Sequence, residues 1–262
     1  MKILCIGDIV GSPGRRVFKT EVTRLRQEGA VDAVIVNAEN AAGGRGITAN
    51  IARELFDAGA DAITLGDHVW DQKETPGLLE QEKRMTRPAN LPSVCPGRGW
   101  TRVSTPLGEI VVMNLMGRVF MQPAPCPFEK ADELLNGPIP RNAIIICDFH
   151  AEATSEKIAM GWHLDGRVAA VFGTHTHVQT SDAKVLPKGT GYITDLGMTG
   201  PINSVIGREV EPVMRKFTTG MPSFFTVASG QSVMEGCLFD IDRKTLRAKS
   251  AKAVRYFEPA PH

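Results

Sequence analysis

No apolar run in the sequence approaches the length of a membrane span. The amino terminus has only a short apolar run ending at Asp8, without the longer stretch and small-residue cleavage site of a signal peptide. The five cysteines (Cys5, Cys95, Cys126, Cys147 and Cys237) are odd in number and include no C-x-x-C pair. Cys5 and Cys147 lie inside apolar, strand-like runs, where a reduced thiol behaves as a small hydrophobe. This usage points to a reducing compartment. A dominant charge is missing too. The formal net charge is +1, so no basic field favours duplex DNA or an anionic membrane as a partner. Internal repeats, low-complexity tracts and convincing linkers are also absent. These absences lead us to expect a soluble, cytoplasmic protein.

What is present is an alternation. The composition, 42% apolar and 23% charged, is that of an ordinary globular chain, and 262 residues suit one large α/β domain or two small ones. Ile3 to Ile6 reads as a buried strand. Pro13 opens a helix whose Val17, Val22 and Leu25 recur at helical spacing. Ala33 to Val36 is a second strand. A glycine-rich loop from Ala42 to Gly46 precedes a helix over Thr48–Ala58, with Thr48 as N-cap. Further strands are expected at Ala62–Leu65, Glu109–Leu115, Ala143–Cys147 and Val168–Phe172, and helices at Phe128–Leu135 and Ser155–His163. The proline-bearing stretches 84–99 and 121–127 read as loop. Beyond Thr180, extended segments dominate (Gly191–Thr194, Ser232–Asp242, Leu246–Phe257), and antiparallel pairing is expected of them. Alternating strands and helices give a layered α/β fold with helices outside the sheet.

The chemistry-bearing residues fall where strands end. Asp8 follows the first strand, Glu39 and Asn40 the second, and Asp67 and His68 the third. His150 follows the 143–147 strand, and His175 and His177 follow the 168–172 strand. In an open α/β sheet the carboxyl ends of the strands line one crevice. Mixed imidazole and oxygen donors suit iron, manganese or zinc better than calcium. Two ions about 3.5–4 Å apart, with a hydroxide bridging them as nucleophile, can clamp a phosphoryl displacement. Such a pair needs a bridging carboxylate, for which Glu39 is the natural candidate. In an extended His175-Thr176-His177 segment the two rings share a face, so each can meet a different ion. Singly, each residue has an ordinary reading: Asp8 as a helix cap, Glu39-Asn40 as loop residues, His150 as a hydrogen-bonded core histidine.

The motifs Gly7-Asp8-Ile9-Val10-Gly11, Asn37-Ala38-Glu39-Asn40, Gly66-Asp67-His68-Val69-Trp70-Asp71, Asp148-Phe149-His150-Ala151-Glu152-Ala153-Thr154-Ser155-Glu156-Lys157 and Gly173-Thr174-His175-Thr176-His177 resemble those of the calcineurin-like metallophosphoesterases. They are most similar to the YmdB-type branch, whose members act as 2′,3′-cyclic nucleotide phosphodiesterases. The resemblance implies a four-layer α/β/β/α sandwich forming one domain over residues 1–262. It implies a centre of two metal ions, iron and/or manganese with zinc as the other candidate. Asp8, Asn40 and His177 would hold the first ion; Asp67, His150 and His175 would hold the second. Glu39 would bridge, and His68 would act as general acid. The implied substrate is a small phosphodiester, a cyclic nucleotide or short RNA, with homo-oligomerisation left open. Two departures from the wider superfamily stand out: Val10 occupies a position usually held by histidine, and Asp67 one usually held by asparagine. A phosphomonoesterase or nuclease on the same centre is the first rival, and a non-catalytic scaffold the second. Arg45 and Arg118 are candidates for touching substrate, against the plainer reading of solvated arginines. Trp70 and Trp162 are read as packing residues, and His163 and His262 as surface or helix-end residues.

Overall fold

The computed structural model describes residues 1–258. The elements run β1 (Lys2–Ile6), β2 (Asp8–Ile9), α1 (Gly11–Gln27), β3 (Ala33–Asn37), α2 (Ala49–Asp57), β4 (Ala62–Thr64), α3 (Thr75–Gln81), β5 (Trp100–Thr105), β6 (Gly108–Met116), α4 (Pro127–Asn136), β7 (Ile144–His150), α5 (Thr154–Leu164), β8 (Ala170–Thr174), β9 (Lys184–Val185), β10 (Gly191–Ile193), β11 (Met198–Pro201), α6 (Val210–Thr219), β12 (Ser232–Asp242) and β13 (Arg247–Phe257). They form two sheets. In the first, β1, β3 and β4 are parallel, and β12 joins β1 antiparallel and carries β13 on its far edge. In the second, β6, β7, β8 and β10 are parallel, with β5 and β9 antiparallel at the edges.

Strand alternation creates the layers, because successive side chains leave opposite faces. Leu4, Ile6, Val34 and Val36 meet Val17, Phe18 and Val22 of α1 and Leu55 of α2 on one outer face. Ile3, Cys5 and Ile35 point the other way and meet Val112, Ile146 and Phe172 of the second sheet. Val111, Ile145, Cys147 and Phe149 then pack under Leu134 of α4 and Met160 and Leu164 of α5. The order is helix, sheet, sheet, helix, as expected from the sequence. Because the parallel strands of each sheet share a direction, their carboxyl ends gather along one rim, and the loops leaving them line it.

Some local expectations needed correction. The region beyond Thr180 is not wholly extended, since α6 is helical. Only Val213 of its ten residues is buried, so its apolar positions leave no core-facing stripe to read. β10 pairs β8 in parallel and meets an antiparallel neighbour only at β9. β5 and α3 went unread. Trp70 and Trp162 are 38% and 55% exposed and are not core residues. His163 sits in the last turn of α5 and bonds Asp132 Oδ1 at 2.9 Å, whereas His262 lies outside the described residues.

Candidate metal centre

β1 ends before Gly7, where the chain passes so close to Gly197 that a Cβ would lie 2.1 Å from its carbonyl oxygen and only glycine fits. The chain resumes in β2, and Asp8 enters the space between the sheets fully buried. Its Oδ2 accepts the amide of His175 at 3.1 Å, while Oδ1 is buried with no hydrogen-bond partner. Glu39, 1% exposed, accepts the amide of His68 on Oε2 at 3.0 Å. Its Oε1 lies 3.2 Å from Asn40 Nδ2 and 3.1 Å from His150 Nε2. Asp67 directs Oδ1 to His150 Nε2 at 2.9 Å and to His175 Nδ1 at 3.2 Å. Ligand atoms of Glu39, Asp67, His150 and His175 all lie within 4.8 Å of one another. Asn40 Nδ2 lies 3.3 Å from His177 Nε2, which is 3.7 Å from Asp8 Oδ1. Asp8, Asn40 and His177 thus form one end of the cluster, and Asp67, His150 and His175 the other, with Glu39 between them.

The histidine tautomers follow from the outer ring nitrogens. Thr174 Oγ1 donates to Asp148 Oδ1 at 2.7 Å, so its lone pair accepts from His150 Nδ1–H at 2.8 Å. His175 Nε2 lies 3.2 Å from the Glu152 carboxylate, and His177 Nδ1 donates to the carbonyl of Ile206 at 3.1 Å. Each ring therefore spends its proton outward and turns a lone pair inward. Inside the cluster, His150 Nε2 then faces Glu39 Oε1, Asp67 Oδ1 and His175 Nδ1 at 3.1, 2.9 and 3.0 Å. Two carboxylates and two imidazoles crowd one point, a set of ligand atoms that calls for a cation there, whether a proton on His150 or a metal ion in its place. Burial opposes a charge on His150, yet Glu39, Asp67 and Asp8 hold its basicity well above the ordinary value, so positive charge is stabilised here. Gly66 keeps the space open: a Cβ there would lie 2.3 Å from His150 Nε2 and 2.5 Å from Glu39 Oε2. The residues present therefore fit a metal centre.

His68 stands beside the cluster, its amide on Glu39 and its Nδ1 on Asp71 Oδ2 at 3.0 Å. The backbone of the 175–177 segment differs from the extended expectation. His175 and His177 have φ values of 98° and 62°, a region that non-glycine residues rarely occupy and that costs on the order of 1–3 kcal/mol each. The rings still reach opposite ends of the cluster, but through this twist.

A buried pair holds the twist. Lys157 Nζ bonds Asp195 Oδ2 at 2.6 Å, both side chains being 1% exposed, and the same oxygen accepts Thr176 Oγ1 at 2.7 Å. Removing one partner strands a buried charge. Asp195→Ala should lower stability by about 3–5 kcal/mol, as read from the urea midpoint; a loss under about 1 kcal/mol, the scale of an exposed pair, would contradict this role.

Several contributors were not legible in the sequence as site residues. Asp148 is fully buried and also accepts from Asn37 Nδ2 at 3.2 Å and from Thr64. Burial pushes its carboxyl up to about 6, against the pull of His150 and of the Thr64 and Thr174 hydroxyls. Its position two residues before His150 on one strand puts both on the same face, a signal available beforehand. Thr174→Val keeps the shape but releases the Nδ1 proton of His150. Metal affinity should fall about 10–100-fold in a competition titration with an indicator; unchanged affinity would remove Thr174 from the chain of orientation. Glu156, in the first turn of α5, accepts the amides of Arg118 and Val119 at 3.1 and 3.2 Å, and α5 has no side-chain N-cap. Arg118 itself is exposed. A different arginine, Arg208, lines the cavity of about 270 Å³ that also holds Glu39, Asn40, His68, His175 and His177.

Two facing sheets between helices, with imidazoles and carboxylates converging at their joined strand ends, define the metallophosphoesterase class of fold. The chain belongs to the YmdB-like protein family, whose model matches residues 4–254. It is 49% identical over 248 residues to the 2′,3′-cyclic-nucleotide 2′-phosphodiesterase of Bacillus subtilis (strain 168), covering 95% of this chain and 94% of that one. Among solved structures, a hypothetical protein from Thermus thermophilus superposes with a TM-score of 0.93 at 41% identity, covering 99% of this chain and 100% of that one. A Mycoplasma pneumoniae protein described as a novel phosphatase superposes with a TM-score of 0.92 at 35% identity, covering 100% and 95%. No helix among the described residues is long and apolar enough to cross a membrane.

Proposed function

We propose that this protein is a metal-dependent phosphodiesterase that hydrolyses 2′,3′-cyclic nucleotides or related short phosphodiesters as one domain over residues 1–262. The observation that carries this reading is the convergence of ligand atoms from Glu39, Asp67, His150 and His175 beside the buried Oδ1 of Asp8, which has no hydrogen-bond partner among the described residues. The name of the Bacillus subtilis relative supports the substrate class. Asp8, Asn40 and His177 would hold one ion and Asp67, His150 and His175 the other, with Glu39 placed to serve both. The imidazole-rich, carboxylate-bridged donor set favours iron or manganese, with zinc also accommodated. When bound, the two ions would offset the charge of the phosphodiester and make water a competent nucleophile at neutral pH.

The chain's own residues do the rest. Asp71 fixes the ring of His68, which delivers a proton to the leaving oxygen. Thr174, Glu152 and the Ile206 carbonyl keep the three ligand rings in their tautomers. All five cysteines are free thiols, three of them buried, in keeping with a reducing cytoplasm. The test is turnover by metal-loaded protein of adenosine 2′,3′-cyclic phosphate and bis-(p-nitrophenyl) phosphate, set against p-nitrophenyl phosphate. Hydrolysis of the diesters in preference to the monoester is the expected result. A strong preference for the monoester would make the protein a phosphomonoesterase, and no hydrolysis of any substrate would make it a scaffold.

A further inference from the structure

The turn Gly43-Gly44-Arg45-Gly46 has a defined role in the fold. Gly44 is buried with φ 92°, and a Cβ there would lie 2.1 Å from Arg208 Nη1 and 2.5 Å from its Cζ. Only glycine lets the guanidinium lie against the turn, where it donates to the carbonyls of Gly43, at 3.3 Å, and Gly44. Two donors serve the turn, and the rest of the fork has no partner among the described residues. Two residues earlier, Ile206 adopts φ 47° and its carbonyl accepts His177 Nδ1. The segment that anchors a ring of the metal cluster therefore also carries Arg208 into the same cavity.

Glu39 and Glu152 also line that cavity. Arg208 is half-buried, and no carboxylate among the described residues forms an ion pair with it. Burial, and then the neighbouring cation Arg45, pull its basicity down. Arg45 follows Gly44, on which the Arg208 guanidinium rests, so the two cations share one turn, and an anion bound there would relieve their repulsion. The reacting cyclic phosphate carries a single negative charge, which the metal centre already meets.

We propose that Arg208 and Arg45 form a second anion subsite for the phosphate on the 5′ side of the terminal nucleoside, so that the preferred substrate is an RNA 3′ end closed as a 2′,3′-cyclic phosphate. This rests on the phosphodiesterase reading above and names its substrate class. A free cyclic mononucleotide has no second phosphate for the two guanidinium groups to meet. An oligonucleotide end supplies one, through the charge-assisted contacts that guanidinium makes with phosphate.

The test separates binding from turnover. Calorimetry on metal-loaded protein compares adenosine 3′,5′-bisphosphate with adenosine 3′-monophosphate. Wild type should bind the bisphosphate about 10-fold more tightly, the scale of a charge-assisted contact. Arg208→Gln should abolish that preference and Arg45→Gln should weaken it. Arg45 is exposed, so its variant tests the subsite even if the other disturbs the turn. In turnover, Arg208→Gln should cut kcat/KM for a dinucleotide ending in a 2′,3′-cyclic phosphate about 10-fold more than for adenosine 2′,3′-cyclic phosphate. Equal binding of the two probes by wild type, or equal losses on both substrates, overturns the subsite, and equal losses would assign Arg208 to the reacting phosphate. If wild type turns over neither cyclic substrate while the bisphosphate preference persists and vanishes in Arg208→Gln, the substrate reading fails and the anion subsite stands.

Discussion

Glu39→Ala should leave the protein folded but unable to retain either metal ion firmly, with phosphodiester turnover reduced by about 10³-fold or more. That loss corresponds to the several kcal/mol of charge stabilisation a metal centre contributes. The size follows from position. Glu39 lies 1% exposed between the two ends of the cluster, with Oε1 3.1 Å from His150 Nε2 and Oε2 3.0 Å from the His68 amide. Asp67 Oδ1 also reaches His150 Nε2, at 2.9 Å, and Asp8 Oδ1 lies 3.7 Å from His177 Nε2, so each serves one end and neither replaces a carboxylate standing between the two. Elemental analysis of the purified variant checks the expectation. Two metal ions retained per chain, with activity lost, would assign Glu39 a role in the reaction other than bridging.

His68→Ala should separate chemistry from metal binding. The ring is anchored outside the cluster on Asp71, while the backbone amide of His68 holds Glu39. Truncating the side chain keeps that amide, so the metal content should not change. Loss of a general acid costs about 10²–10⁴-fold on a poor leaving group such as a ribose oxygen. It should cost much less on p-nitrophenolate, which leaves without needing a proton. Comparing the variant on adenosine 2′,3′-cyclic phosphate and on bis-(p-nitrophenyl) phosphate gives the contrast directly, and equal losses on the two would exclude proton donation by His68.

The parts of the molecule legible in the sequence are those whose signal is local. β1, β3 and β7 each contain a continuous apolar run (Ile3–Ile6, Ala33–Val36 and Ile144–Cys147), and Thr48 caps α2 by accepting the amide of Ile51, as its residue type suggests. The cluster residues were legible because each follows such a run, and parallel strands deliver their ends to one rim. The rest depends on pairings far apart in the chain. Asp148 and Thr174 look like polar interruptions of strands until β7 and β8 pair and bring them to His150. Lys157 reads as a helix-surface lysine; only the fold buries it against Asp195. Arg208 gains its position from Gly44, 164 residues away, through a close approach that only an absent side chain permits. The left-handed backbone at His175 and His177 has no residue-type signature, because histidine carries none of glycine's freedom.

The central claim is that the strand-end cluster holds the metal ions that make this protein a phosphodiesterase. It is tested most directly by metal content against turnover. Protein stripped with a chelator is titrated with Mn²⁺ or Fe²⁺ while hydrolysis of adenosine 2′,3′-cyclic phosphate is followed. Turnover should be absent in the stripped protein and should rise to saturation as two ions bind per chain. Undiminished turnover in metal-free protein, or two ions bound with no phosphodiester hydrolysed, would contradict the claim.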